Sequence, residues 1–347
     1  MARLIHSRLV SVPTLDRLQR PLRDLRISVI ETCNFRCPYC MPEDRYPQDE
    51  IGDRAGRLDF DEIERVARAF AQAGVRKLRL TGGEPLLRRG LPELVARLVR
   101  IEGIEDLALT TNGSLLARHA RALREAGLQR LTISLDTLDP ERFHQLSGGR
   151  GELRDVLDGI AAAEQAGFGS IKFNCVVQRG ENEDDVLALV ERFRGTGHVV
   201  RFIEYMDVGT CNGWRAEQVV PSAQLRERIA SRWPVHALDA GYRGEVAERF
   251  AFDDGAGEVG FVSSVSTPFC GDCHRARLSA DGKLYTCLFA ASGHDLRGML
   301  RDGADEPALV AEIERLWSRR GDRYSELRSQ LGAGDSPGHV EMYAIGG

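Results

Sequence analysis

The sequence predicts an α/β fold: an incomplete (β/α)6 barrel of the TIM type, followed by a C-terminal α+β extension. Three observations carry this expectation. Strand-like and helix-like segments alternate strictly up to about residue 205, which implies parallel strands joined by right-handed crossovers. Polar or glycine-rich signals follow the C-terminal ends of many of these strands, which suits a barrel mouth better than the single crevice of an open doubly wound sheet. After about residue 220 the alternation stops. The expected division is a barrel core over residues 1–220 and a C-terminal region over 221–347.

The first strand is expected over 22–30, ending just before a group of cysteines. The helix over 60–73 places Ile63, Val66, Ala67 and Phe70 on one face. Strands over 77–81, 106–111, 130–135, 170–177 and 199–205 alternate with helices over 92–101, 114–126, 152–167 and 182–194. Gly74, Gly127 and Gly167 stand where helix C-terminal glycines belong. A helix over 222–233 opens the C-terminal region. Strands over 246–252, 258–265, 275–280 and 283–287 follow, with Asp281-Gly282 as a two-residue hairpin turn. Helices over 295–301 and 306–320 precede a glycine-rich end.

At 347 residues the chain is long enough for one large domain with an extension, or for two. A net charge of −5 argues against broad nucleic-acid binding. No run of apolar residues is long enough to span a membrane, and the first residues lack the apolar core of a secretory signal. Eight cysteines in such a chain point to reduced thiols in the cytoplasm, serving metal or redox chemistry. Only Lys77, Lys172 and Lys283 are lysines, the other basic residues being arginine. A lone arginine therefore carries little weight.

Two cysteine sets stand out. Cys33, Cys37 and Cys40 follow the first strand, and Cys270, Cys273 and Cys287 lie in the C-terminal region. Each set has three thiols, where a structural zinc site takes four ligands and a [4Fe-4S] cluster takes four thiolates. Three thiolates leave one iron of a cluster open to a small molecule. Two such clusters are the favoured reading. A zinc knuckle remains an alternative, as does a Cys3His site through His274. Cys270-Gly271-Asp272-Cys273-His274 also has the spacing of a c-type haem attachment, but nothing else in the chain suggests a haem pocket.

Cys-x3-Cys-x2-Cys with Tyr39 before its last cysteine, after the first strand of a β/α series, resembles the radical S-adenosylmethionine (SAM) superfamily. In that superfamily the open iron holds the amino and carboxylate groups of SAM. One electron then splits the sulfonium to give a 5′-deoxyadenosyl radical. The resemblance implies SAM contacts at Tyr39, Gly82, Gly83, Glu84, Ser134 and Met206. The segment from Phe269 through Cys273, Arg275 and Arg277 to Cys287 and Leu288 closely resembles the family of GTP 3′,8-cyclases, which open molybdenum cofactor biosynthesis. Arg26-Ile27-Ser28-Val29, the run from Arg201 to Gly209, and the terminal Gly346-Gly347 support it.

That resemblance implies a lyase-type cyclase yielding (8S)-3′,8-cyclo-7,8-dihydroguanosine 5′-triphosphate. It implies GTP contacts at Arg26, Arg79, Thr110, Lys172, Arg275 and Arg277, and a tail whose Gly346 and Gly347 insert into the cavity and assist the reaction. Arg275 and Arg277 alternate with Ala276 and Leu278, so a strand puts both guanidiniums on one face. An electron donor such as flavodoxin or ferredoxin and a downstream cyclic pyranopterin monophosphate synthase are the implied partners, and a homodimer is allowed. Two alternatives stay open at this point: a radical SAM enzyme acting on a peptide, and a non-catalytic iron–sulfur or zinc protein.

Overall fold

The computed structural model describes residues 13–44, 56–328 and 338–346. Its core is a single sheet to which every strand belongs. Six parallel strands form the centre: β1 (Asp24–Ser28), β2 (Lys77–Thr81), β3 (Asp106–Thr111), β4 (Arg130–Ser134), β5 (Lys172–Val177) and β6 (Val199–Glu204). Helices α1 (Phe60–Gln72), α2 (Leu91–Leu98), α3 (Leu116–Glu125), α4 (Pro140–Leu146), α5 (Leu153–Gln165) and α6 (Val186–Phe193) connect them. The C-terminal region adds α7 (Ser222–Ala230), then β7 (Val235–Leu238), β8 (Glu248–Phe252), β9 (Glu258–Val262), β10 (Arg275–Leu278), β11 (Lys283–Tyr285) and β12 (His294–Asp295). Helices α8 (Leu296–Arg301), α9 (Glu306–Ser318), α10 (Tyr324–Leu327) and α11 (Met342–Ile345) complete the described chain.

The strand order is β12-β11-β10-β1-β2-β3-β4-β5-β6-β9-β8-β7. The sheet is an open barrel, since β1 and β6 do not meet. The C-terminal region lengthens the sheet at both edges. β10 lies parallel to β1, and β9 parallel to β6. No helix among the described residues is long and apolar enough to cross a membrane.

The expected helix faces are the buried ones. In α1, Ile63, Val66, Ala67 and Phe70 are buried against the sheet, and each large apolar side chain so covered contributes roughly 1.5–3 kcal/mol. Asp59 accepts from the Glu62 amide and Glu62 reaches back to the Asp59 amide, a capping box that fixes where α1 begins. Leu25, Ile27, Leu78, Leu80, Leu107 and Leu109 are buried too, while Arg26 and Arg79 alternate with them and line the barrel interior.

Besides β12, α10 and α11, which were not anticipated, three details differ from the expectation. α4 was not anticipated, because this seven-residue helix buries only Phe143 and so leaves almost no periodic signal. β7 is an edge strand with two exposed residues, His236 and Ala237, and lacks apolar alternation. The turn between β10 and β11 uses four residues, with the Gly282 amide donating to the Ser279 carbonyl at 3.0 Å and Gly282 at φ +82°.

Candidate active site

Sheet register builds the site. Arg277 pairs with Arg26 across β10 and β1, and Arg26 pairs with Arg79 across β1 and β2. The same row continues through Ala108 to Arg130. A second row runs from Thr110 through Thr132 to Lys172, and a third from Ser134 through Asn174 to Arg201. Arg79 donates to Thr110 Oγ1 at 2.9 Å and Thr132 Oγ1 at 3.0 Å. Apart from Ala108 and Thr132, these side chains line one cavity in the barrel interior, together with Lys77 and Arg275.

So many cations in one enclosed space disfavour their own charge. Burial, then Arg277, Arg275 and Arg79, pull Arg26 well below the usual guanidinium range. Burial and Arg275 bring Arg277 to about 9, and burial with Arg201 and Arg130 brings Arg79 to about 10. Lys172 falls to about 7 through burial and the surrounding Arg201, Arg130, Lys77 and Arg79. A cavity of this kind is complementary to a polyanion, which would restore every one of these charges.

Cys33, Cys37 and Cys40 also line this cavity. Their loop leaves β1 and turns at Cys37, whose carbonyl accepts from the amides of Cys40 at 3.0 Å and Met41 at 2.9 Å. Asn112 approaches Cys33 Sγ at 3.8 Å and donates to Asn34 Oδ1 at 2.9 Å. Burial pushes the Cys33 thiol up to about 11. Burial and the neighbouring thiols push Cys37 and Cys40 up as well. Three withdrawn thiols that repel one another as thiolates call for an embedded cationic centre, and a coordinating metal deprotonates them outright.

The glycine loop after β2 holds the cysteine loop in place. The Gly83 amide donates to the Ile30 carbonyl at 2.8 Å, and the Glu84 amide to the Thr32 carbonyl at 2.9 Å. A Cβ on Gly82 would fall 2.3 Å from the Ile30 oxygen, and one on Gly83 2.2 Å from the Thr32 oxygen. These glycines therefore let the chain approach itself, one residue before Cys33. Gly83→Ala is expected to destabilise the protein by about 3 kcal/mol, the upper end for overpacking, and to lower iron per chain. An unchanged melting temperature and iron content would show that the cysteine loop yields freely.

The second trio is held by a buried ionic frame. Arg20 donates to Asp16 Oδ2 at 2.5 Å, to the Cys270 carbonyl at 2.6 Å and to the Asp322 carbonyl at 2.8 Å. Arg320 donates to the Cys273 carbonyl at 2.6 Å. Burial pushes Cys287 up to about 11. Burial also opposes ionisation of Cys273, but Arg275 and Arg320 outweigh it and bring that thiol down to about 6. Cys270, Cys273 and Cys287 line the same cavity as the first trio.

Among the described residues no three His, Cys, Asp or Glu side chains converge closely enough to hold a single metal ion. His274 is buried and packs under Gly244, with Nδ1 3.6 Å from Asp24 Oδ2.

Known proteins agree with this arrangement. The radical SAM superfamily model matches residues 27–193, and the Molybdenum Cofactor Synthesis C model matches residues 198–326. A protein of Xanthomonas axonopodis pv. citri named GTP 3′,8-cyclase is 66% identical, covering 97% of this chain and 100% of its own length. One of the same name from Acidothermus cellulolyticus is 53% identical over 96% of this chain and 99% of its own. The chain belongs to the GTP 3′,8-cyclase family. The solved structure of Streptococcus suis SuiB bound to S-adenosylmethionine shares the fold, with a TM-score of 0.58 at 15% identity, covering 94% of this chain and 77% of that one.

In this GTP 3′,8-cyclase family member the cavity brings together most of the residues expected from sequence. Tyr39, Gly82, Gly83, Ser134, Met206, Arg26, Arg79, Thr110, Lys172, Arg275, Arg277 and all six trio cysteines line it. Glu84 does not. It lies fully buried behind the wall, accepting from Thr111 Oγ1 at 2.7 Å, the Asn112 amide at 2.8 Å and the Leu86 amide at 3.0 Å. Burial lifts its carboxyl to about 7. Gly346 is buried and is not itself among the lining residues, but its carbonyl accepts from Arg277. Gly347 lies outside the described residues.

Sequence reasoning passed over several cavity residues. Asp136 accepts from the Tyr39 hydroxyl at 2.7 Å and the Val176 amide at 2.8 Å, and burial raises its carboxyl to about 6. Asn174 lines the cavity with its Oδ1 buried and without a hydrogen-bond partner, an acceptor awaiting a donor. Arg130, Arg201 and Tyr242 complete the wall. Strand alternation could have found Asn174 and Arg201, since both alternate with buried Phe173, Cys175 and Phe202. Nothing local marks Tyr242.

Proposed function

We propose that each cysteine trio holds one [4Fe-4S] cluster and that SAM and GTP occupy the cavity between them together. The chain is a radical SAM enzyme, a GTP 3′,8-cyclase that acts at the first step of molybdenum cofactor biosynthesis. The observation that carries the two-cluster reading is that both trios line a single cavity walled by cations. When bound, the first cluster and SAM would supply a 5′-deoxyadenosyl radical to take hydrogen from ribose C3′; joining C3′ to guanine C8 would then require one further electron and a proton.

The chain's own residues do the positioning. Cys33, Cys37 and Cys40 anchor the first cluster, and the exposed backbone of Gly82 and Gly83, with Tyr39, Ser134 and Met206, borders SAM. Glu84 fixes that border from behind by tying the ends of β2 and β3 together. Cys270, Cys273 and Cys287 would anchor the second cluster, whose role would be to bind the guanine base. The rows containing Arg26, Arg79, Thr110, Lys172, Arg275 and Arg277 neutralise the triphosphate and set its distance from the first trio. Gly346 and Gly347 enter from the mouth. On this reading residues 1–220 generate the radical and residues 221–347 hold the base. One-electron reduction falls to a carrier such as flavodoxin or ferredoxin in the cytoplasm, and the product passes to cyclic pyranopterin monophosphate synthase. The assignment allows a homodimer.

Anaerobic reconstitution tests it. About eight irons per chain are expected from two four-iron clusters, against about four for one cluster. Incubation with GTP, SAM and a reductant should give the 3′,8-cyclised nucleotide. Four irons with full cyclisation would remove the second cluster from the reading.

Lys172 makes GTP binding depend on pH. Its ammonium is held at about 7 without an anion, and the triphosphate raises that value. Below about pH 7 the group is already charged, so affinity is flat. Above it, binding must take up a proton, and affinity falls by up to about tenfold per pH unit until the pKa of the complex is reached. Calorimetry in two buffers of different ionisation enthalpy at pH 8 should detect that uptake. No uptake, with equal affinity at pH 7 and 8.5, would exclude Lys172 from the phosphate site.

A further inference from the structure

We infer that Glu341 is a latch that holds the C-terminal tail in the cavity mouth by gripping the loop that carries Met206. The inference rests on the tail role proposed above. The tail touches both cysteine regions. His339 packs edge-on against Tyr324, ring centroids 4.6 Å apart, and lies 5.7 Å from Phe289, two residues beyond Cys287. The Val340 amide donates to the Ala290 carbonyl at 3.0 Å.

Glu341 then reaches across to the other side. One carboxylate oxygen accepts from the Thr210 amide at 2.8 Å and Thr210 Oγ1 at 2.6 Å, and the other from Cys211 Sγ at 2.9 Å. Gly209, at φ +76°, makes room: a Cβ there would fall 2.2 Å from Glu341 Oε2. Glu341 stands at the N-cap of α11 but makes no side-chain cap bond to that helix. Its carboxylate is engaged by the loop instead. Hydrogen bonds to a carboxylate are roughly twice as strong as neutral ones.

What the latch aligns lies at both of its ends. Beyond it, α11 carries Met342 into the cavity wall, buries Ile345 and delivers the Gly346 carbonyl to Arg277. Gly346 has φ +75°, and a Cβ there would fall 2.1 Å from Thr81 Cγ2. The gripped loop is tied to the SAM border. Asn212 donates to the Met206 carbonyl at 3.0 Å, the Tyr205 hydroxyl donates to the Asn212 carbonyl at 2.9 Å, and Cys211 Sγ lies 3.8 Å from the Cys40 carbonyl. Asp207 of the same loop is held by Tyr324 Oη at 2.7 Å and Arg328 Nε at 2.9 Å. A displaced Met206 loop would therefore move Glu341, and with it the glycine carbonyl at Arg277. Glu341 is a positioning residue that makes tail placement conditional on the SAM side.

The test uses the holoenzyme with both substrates. In Glu341→Ala, kcat for cyclisation should fall about tenfold or more, in the range seen for supporting partners. Iron per chain and SAM affinity should stay at wild-type values. The ratio of 5′-deoxyadenosine formed to GTP cyclised should rise several-fold, because the radical forms without productive placement. Glu341→Gln keeps an acceptor for Thr210 and should recover part of the coupling. Adding Thr210→Val to Glu341→Ala should cost nothing more, since Glu341→Ala already removes the contact made by Thr210 Oγ1. Wild-type coupling in Glu341→Ala, or an additive loss in the double variant, overturns the latch. A chain ending at residue 337 separates the two ideas. If it cyclises GTP normally, the tail reading itself fails and the latch with it. If it is inactive while Glu341→Ala is normal, the latch alone fails.

Discussion

Cys37→Ala is expected to abolish SAM cleavage and to remove about half of the iron. Cys37 is the middle cysteine of the first trio, and its carbonyl starts the turn that presents Cys40. Its thiol is desolvated and flanked by Cys40 and Cys33. Two remaining thiolates would leave two irons of a cube open to water and oxidant. The loss should exceed the roughly 100-fold that removal of a supporting partner costs. The second trio lies in a separate frame of Arg20 and Arg320, so iron should fall from about eight to about four per chain and not to zero. Iron analysis and 5′-deoxyadenosine release check this. Retained release would remove Cys37 from the radical-generating site.

Arg277→Ala is the second large effect, and its signature is different. The guanidinium is almost fully buried, sits in register with Arg26 and Arg79, and donates to the Gly346 carbonyl. Loss of one buried charge-paired group costs about 3 kcal/mol, on the order of 100-fold in kcat/KM for GTP. SAM cleavage without cyclisation should persist, because the first trio is untouched. Arg277→Lys should recover only part, since an ammonium lacks the planar fork that spans two oxygens. A wild-type kcat/KM in Arg277→Ala would place the triphosphate elsewhere.

Much of this was legible before any coordinates. Each central strand and its flanking helix announced itself by apolar spacing, and the cysteine spacings and Gly82-Gly83 marked the mouth. What stayed hidden depended on distant partners. Glu84 reads as a charge aimed at a ligand, yet Thr111 and Asn112 at the end of the next strand claim it. The glycines signal a close approach correctly, but what approaches within the chain is the carbonyl of Ile30 or Thr32. In an arginine-rich chain, Arg130 and Arg201 carry no contrast. Alternation with buried Val200 and Phe202 does point Arg201 inward, but Arg130 joins its row only through a register that a sequence does not print. Glu341 has no local mark, because the loop it grips is about 130 residues away.

The pairing of β1 with β10 has a consequence for biogenesis. The first strand completes one neighbour only when a segment some 250 residues later has been synthesised, and β6 likewise awaits β9. A nascent chain halted near residue 220 would show the ribosome and its chaperones two unpaired sheet edges. Such long-range closure is slow, so the second cysteine trio reaches its place beside β1 only when translation is nearly finished.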